Sequence, residues 1–128
     1  FLPHVINYNA KKPVKHALFP KYESFRADED FAEIARALNL PAKTTEEGVA
    51  SLVKAVTELA EDIGIDMSLK ANGATLEHLE ETIDTLADRA YEDQCTTANP
   101  KQPLVSELKA LIRDAFEGEV DYSEKNAK

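Results

Sequence analysis

Apolar residues recur along most of this chain at helical spacing. Phe31, Ile34, Ala35 and Leu38 stand at i, i+3, i+4 and i+7, which places them on one face of a helix. The acidic run Asp28-Glu29-Asp30 just before them suits a helix N-terminus, and Pro41 is expected to end that helix. Thr44 and Glu47 have the spacing of a capping box. Behind them Val49, Leu52, Val53, Val56, Leu59, Ala60 and Ile63 form one broad stripe. Gly64 stands where a left-handed C-cap belongs, with Ile65 able to fold back on the last turn. A short helical turn is expected over 68–72, closed by Gly73. Thr75 caps the next helix, whose stripe is Leu76, Leu79, Ile83, Leu86, Ala87 and Ala90. A last helix takes Pro103 or Leu104 into its first turn, carries Val105, Leu108, Ile112 and Phe116 on its apolar face, and stops at Gly118.

Elsewhere the period fails. Residues 10–27 contain Pro13 and Pro20 and read as an irregular loop. Val14, Leu18, Phe19, Tyr22 and Phe25 suggest that this loop packs on something. The segment from Cys95 to Pro103, with two prolines and small polar residues, is expected to be a loop as well. Phe1 to Ala10 is apolar and reads as the end of a helix. No alternating strand pattern of useful length appears. The expected fold class is therefore all-α, a bundle of about five helices with a long irregular N-terminal loop. Residues 1–118 form the helical unit and 119–128 a polar tail. Phe1 is not a methionine, and Phe1-Leu2-Pro3-His4-Val5-Ile6 resembles the middle of an apolar element, so the chain is expected to be a piece of something longer.

Composition narrows the function classes. The 128 residues carry 24 Asp+Glu against 15 Lys+Arg, for a net charge of −9. That balance argues against nucleic acid as a partner, since phosphate binding needs clustered Lys and Arg. No apolar stretch approaches the roughly 20 residues of a bilayer span, so no membrane partner is expected either. One cysteine, Cys95, cannot form an internal disulfide, which fits a reducing, cytoplasmic compartment.

Little here carries chemistry by spacing alone. His4, His16 and His78 lie far apart and form no His-x-x-x-His pair, so no metal site is expected within the chain. Gly48, Gly64, Gly73 and Gly118 make no phosphate-cradling fingerprint, so no cofactor site is expected. Carboxylate pairs such as Glu46-Glu47, Glu61-Asp62, Glu80-Glu81 and Glu92-Asp93 read as the wet faces of amphipathic helices. Glu58 and Asp62 are a like-charged i, i+4 pair, slightly unfavourable. No catalytic residue is assigned. Cys95 has only Lys101 nearby in sequence to lower its pKa, and the plain alternative is a half-buried small hydrophobe at a helix end. The two-proline loop around it is nevertheless a reasonable way to present groups to a cleft.

At this loop a resemblance appears. Tyr91-Glu92-Asp93-Gln94-Cys95-Thr96-Thr97-Ala98-Asn99-Pro100-Lys101 resembles the D-x-C-T-x-x-N-P-[RK] segment near the C-terminus of iron-dependent (group III) alcohol dehydrogenases. Leu2-Pro3-His4-Val5-Ile6-Asn7-Tyr8-Asn9-Ala10 is similar to that family's L-P-x-V-x-x-[FY]-N-A helix end. Asp62-Ile63-Gly64-Ile65 with Ser68-Leu69 is similar to its D-[IV]-G-I-P-x-x-L stretch, with Asp66 where the family usually has Pro. The segments KKPVKHALFPKYESFRADEDFAEIA and QPLVSELKALIRDAF resemble the bifunctional aldehyde–alcohol dehydrogenase branch.

The resemblance runs from Phe1 to about Gly118. It implies a parent that reduces acetaldehyde to ethanol with NADH, its carbonyl polarised by Fe²⁺ as Lewis acid. It also implies that the iron ligands and the NAD-binding subdomain lie upstream, so neither group is held by this chain and His4 is not a ligand. Cys95, Thr96 and Thr97 would line the substrate pocket, contributing shape and polarity. The implied partners are the upstream part of the same polypeptide and, as in the bifunctional branch, further copies in a homo-oligomer or filament. The isolated chain would be inactive, supplying a cleft wall and docking surface. The rival from a different class is a stand-alone helical protein-interaction module.

Overall fold

A computed structural model describes residues 1–13 and 23–120. Among these the chain forms five α-helices and one short 3₁₀ turn, with no strand. They are α1 (Leu2–Ala10), α2 (Ala27–Ala37), α3 (Thr45–Asp62), α4 (Leu76–Glu92) and α5 (Val105–Glu117), with the 3₁₀ turn at Gln94–Ala98 between the last two. The expected all-α bundle is what forms. Of the long N-terminal loop, Val14, Leu18, Phe19 and Tyr22 lie outside the described residues, and Phe25 is half-buried. Residues 121–128 of the expected tail also lie outside. Val120 is partly buried against the core, so packing continues past Gly118.

Helix ends follow local chemistry, with some departures. Asp28, Glu29 and Asp30 occupy the first turn of α2, where the helix dipole favours them. Arg26 forms ion pairs with Glu29, Asp30 and Glu33. The helix stops short of the proline expected to end it. Asn39 adopts a left-handed φ of 56°, and Leu40 N–H reaches back to Ala35 C=O at 2.9 Å while Asn39 N–H reaches Arg36 C=O. This is a Schellman ending with Asn in the place of Gly. Gly64 does the same for α3 at φ 75°, with Ile65 N–H bonded to Ala60 C=O at 2.8 Å. Thr44 Oγ1 accepts from Glu47 N–H at 3.1 Å, yet the Glu47 carboxylate takes the Lys43 amide rather than closing the box on Thr44. Glu58 is ion-paired with Lys54, which offsets its repulsion from Asp62. The 68–72 segment makes turns, as expected. Thr75 caps α4 through His78 N–H. Pro103 and Leu104 both precede α5: Leu104 is its N-cap, and the Glu107 carboxylate accepts the Leu104 N–H at 2.7 Å.

Two apolar clusters divide the molecule. The first joins α1, α2 and α3 through Ile6, Ala10, Ala35, Val49, Leu52 and Val53. The second joins α4 and α5 through Leu79, Ile83, Ala87, Ile112 and Phe116. Gly48 lets α2 and α3 approach closely: a Cβ there would stand 2.8 Å from the Ala32 Cβ and 2.9 Å from its Cα. On the outer side of the second cluster, Arg113 donates two hydrogen bonds to Glu80 at 3.1 and 3.0 Å, and Lys109 pairs with Asp84 at 2.8 Å.

The predicted stripes are wider than the core they supply. Leu59 on α3 and Ile63 at its C-cap are 59% and 62% exposed, and Ile34, Leu38, Leu76 and Leu86 also face outward. Each helix has few neighbours to pack on, so the edges of its stripe remain uncovered.

Candidate functional site

The loop singled out by sequence is partly helical. Asp93 ends α4 and caps the 3₁₀ turn, its Oδ1 accepting from Cys95 N–H at 2.7 Å. Short polar side chains then bond back to the backbone, which favours a tight turn over an open loop. The Thr96 hydroxyl donates to Ala90 C=O at 2.6 Å and the Thr97 hydroxyl to Gln94 C=O at 2.8 Å. Cys95 and Thr97 are exposed and Thr96 is half-buried, so Cys95 is not the partly buried hydrophobe of the plain alternative. A hydrogen bond to Asp93, with its negative charge, pushes the Cys95 thiol up from its ordinary value. Cys95 is therefore held as a neutral thiol and is a poor nucleophile.

The cation nearest in sequence is engaged elsewhere. Lys101 is 6% exposed. Its Nζ donates to Lys11 C=O at 2.9 Å, at the C-terminus of α1, and stands 3.9 Å from the centroid of the Tyr8 ring. That geometry satisfies a buried ammonium with a helix-end carbonyl and an aromatic face. Burial still pulls its pKa down to about 8. The Tyr8 hydroxyl donates to Glu107 Oε2 at 2.8 Å, the same oxygen that accepts the Leu104 amide. Burial, then this hydrogen bond, raises the Tyr8 pKa well above its ordinary range.

Next to this lies a reciprocal amide pair. Asn9 Nδ2 donates to Asn99 Oδ1 at 2.8 Å, and Asn99 Nδ2 donates to Asn9 Oδ1 at 2.9 Å. Asn99 Nδ2 also reaches Lys101 C=O at 2.6 Å. Tyr8, Asn9, Asn99, Lys101 and Glu107 thus bind the end of α1, the segment after the 3₁₀ turn and the start of α5 into one network. By sequence alone Lys101 counts only as a neighbour of Cys95, and the other four are given no role. Tyr8-Asn9 and Asn99-Pro100-Lys101 do fall inside two of the stretches that carry the resemblance, which is the signal that could have found them.

His4 lies on α1 and is buried, and its Nε2 has no hydrogen-bond partner. Burial lowers its pKa, with the N-terminal ammonium adding to the effect and Asp114 opposing it. A neutral imidazole results. His78 sits exposed in the first turn of α4, and His16 lies outside the described residues. Among the described residues no three His, Cys, Asp or Glu side chains converge as metal ligands. None of the described helices is long and apolar enough to cross a membrane.

The polar network thus ties together two of the stretches that carry the sequence resemblance. Residues 1–116 match the model of the Fe-containing alcohol dehydrogenase family, C-terminal. The chain belongs to that family. The chain is 50% identical over 117 residues to the aldehyde-alcohol dehydrogenase of Streptococcus pneumoniae serotype 4, covering 91% of the chain and 13% of that protein. Against the bifunctional aldehyde-alcohol dehydrogenase of Escherichia coli strain K12 it is 36% identical over 124 residues, 94% of the chain and 14% of that protein. It is also 32% identical to the NADPH-dependent butanol dehydrogenase of Clostridium saccharobutylicum, over 95% of the chain and 28% of that protein. The chain therefore spans a small part of the length of the relatives it matches.

Proposed function

We propose that this chain works as the C-terminal helical portion of an iron-containing, NADH-dependent alcohol dehydrogenase that reduces acetaldehyde to ethanol, within a cytoplasmic bifunctional enzyme running from acetyl-CoA to ethanol. The observation that carries this is the family match across 1–116, joined to the bifunctional relatives. The iron and the nicotinamide are held by parts of the polypeptide outside this chain, and the isolated chain turns over no alcohol. Its partners are the remainder of the same polypeptide and further copies in a homo-oligomer or filament.

Cys95, Thr96 and Thr97 line the substrate side of the cleft. Support comes from their position on one turn, two of them exposed, with a thiol kept neutral beside Asp93. Such groups shape a pocket and take no proton. The test is Cys95→Phe in the full-length dehydrogenase. Because Cys95 is exposed, the melting temperature should hold, while kcat/KM for acetaldehyde should fall at least about tenfold from crowding of the pocket. Unchanged kinetics would remove Cys95 from the cleft.

A further inference from the structure

The 3₁₀ turn is fastened on its two sides by different chemistry. On the α4 side Asp93 caps it and Thr96 bonds to Ala90 C=O. On the α1 side a pair of amides fastens it, with Asn9 only 4% exposed. Each amide satisfies the other's donor and acceptor, and Asn99 spends a second donor on Lys101 C=O. No other residue type fits this pairing at the same length. Aspartate supplies two acceptors and no donor when ionised, and serine lacks the second group. Amides so matched, one of them buried, resist a shift in either partner, since separating them would leave Asn9 with its donor and acceptor unsatisfied.

We infer that Asn9 and Asn99 are positioning residues: their pair sets where the turn bearing Cys95, Thr96 and Thr97 stands relative to α1. With the cleft reading proposed above, on which this part rests, the pair thereby sets the width of the pocket on the Cys95 side. Neither residue touches substrate. Lys101 acts alongside them, holding the segment after Asn99 against the end of α1.

Asn9→Asp is the sharpest probe. Ionised, the new carboxylate sets an oxygen against Asn99 Oδ1, whereas the protonated acid can donate there as asparagine does. In the 128-residue chain, protection of the Thr96 and Asn99 amides, which bond to Asp93 C=O and Thr96 C=O, is followed by hydrogen exchange. Ile83 and Ile112 in the second core serve as references. At neutral pH the Thr96 and Asn99 protection factors should fall about tenfold or more with the references unmoved. The loss should shrink as pH drops through the carboxyl range. Uniform loss across all four amides, or no loss at any, would overturn the inference. Asn9→Ser, smaller and uncharged, should show the same selective loss without the recovery at low pH, and covers the case in which Asn9→Asp fails to fold.

In the full-length dehydrogenase Asn9→Ser should raise KM for acetaldehyde severalfold and leave kcat nearly unchanged. Selective amide loss with unchanged KM would uphold the positioning of the turn and overturn its place in the cleft.

Discussion

The Lys101 ammonium is 3.9 Å from the centroid of the Tyr8 ring, and burial shifts the two pKa values in opposite directions. Burial lowers Lys101 from 10.5 to about 8 and raises Tyr8. Between pH 8 and 10.5 the unfolded chain binds more protons at Lys101 than the folded one, so stability rises with pH there. Above about pH 10 Tyr8 ionises only in the unfolded chain, so folding then loses stability. Cys95, its thiol raised, acts in the same falling sense.

Urea denaturation of Cys95→Ser should therefore show a maximum near about pH 10. The gain from about pH 8 to that maximum should be on the order of 2 kcal/mol from Lys101. Adding Lys101→Met should abolish the rise and leave the fall. A flat profile in the parent variant would show that Lys101 is solvated.

Gly48 offers a packing test. Alanine raises helix propensity by about 1 kcal/mol, yet its Cβ would meet Ala32 at both Cβ and Cα. The backbone atom cannot step aside as a flexible side chain would, so α2 and α3 must separate. Gly48→Ala should lower stability by about 1–3 kcal/mol. Ala32→Gly on that background removes one of the two contacts and should recover part of the loss, a coupling read from a double-mutant cycle by thermal melting.

His4 governs the acid side. Its folded pKa lies below the ordinary 6.5, so the unfolded chain binds the extra proton first. Stability should be complete above about pH 6.5 and decline as pH falls below it, until the folded pKa is passed. His4→Phe should flatten that decline. Chemical denaturation between about pH 7 and 5 reads the slope directly.

Uncovered apolar groups predict association. Phe1 and Leu2 at the start of α1 and Leu59, Ile63 and Ile65 around the end of α3 are all exposed. The isolated chain should associate with rising concentration in sedimentation velocity, with the net charge of −9 limiting precipitation. Glutamate at Leu59 and Ile63 together should shift the distribution towards monomer. An unsubstituted isolated chain that remains strictly monomeric at high concentration would contradict it.

Features with a local cause were legible in the sequence. Thr44 and Thr75 cap because an oxygen three residues before a free amide is sufficient, and Gly64 and Gly118 stop helices because they accept a positive φ. Asn39 was missed because its left-handed turn depends on the Leu40 amide reaching Ala35, which Pro41 conceals as the obvious stop signal. Gly48 shows in sequence only as part of a phosphate motif it fails to make, since its use lies against Ala32 in another helix. Cys95, Thr96 and Thr97 come together because they are adjacent in sequence. The partners Asn9 and Asn99 are 90 residues apart, and no periodicity connects them.

The first core draws on opposite ends of the described chain, Ile6 and Ala10 at one and Val120 at the other. A short connection joins α2 to α3, so as the polypeptide leaves the ribosome these two can pair early while that core stays unfinished. Completing it requires a loop closure across nearly the whole segment, the slow kind of contact in folding kinetics. Until then part of that core stays open to solvent, and a nascent chain arrested before Val120 would expose the surface most open to misassembly.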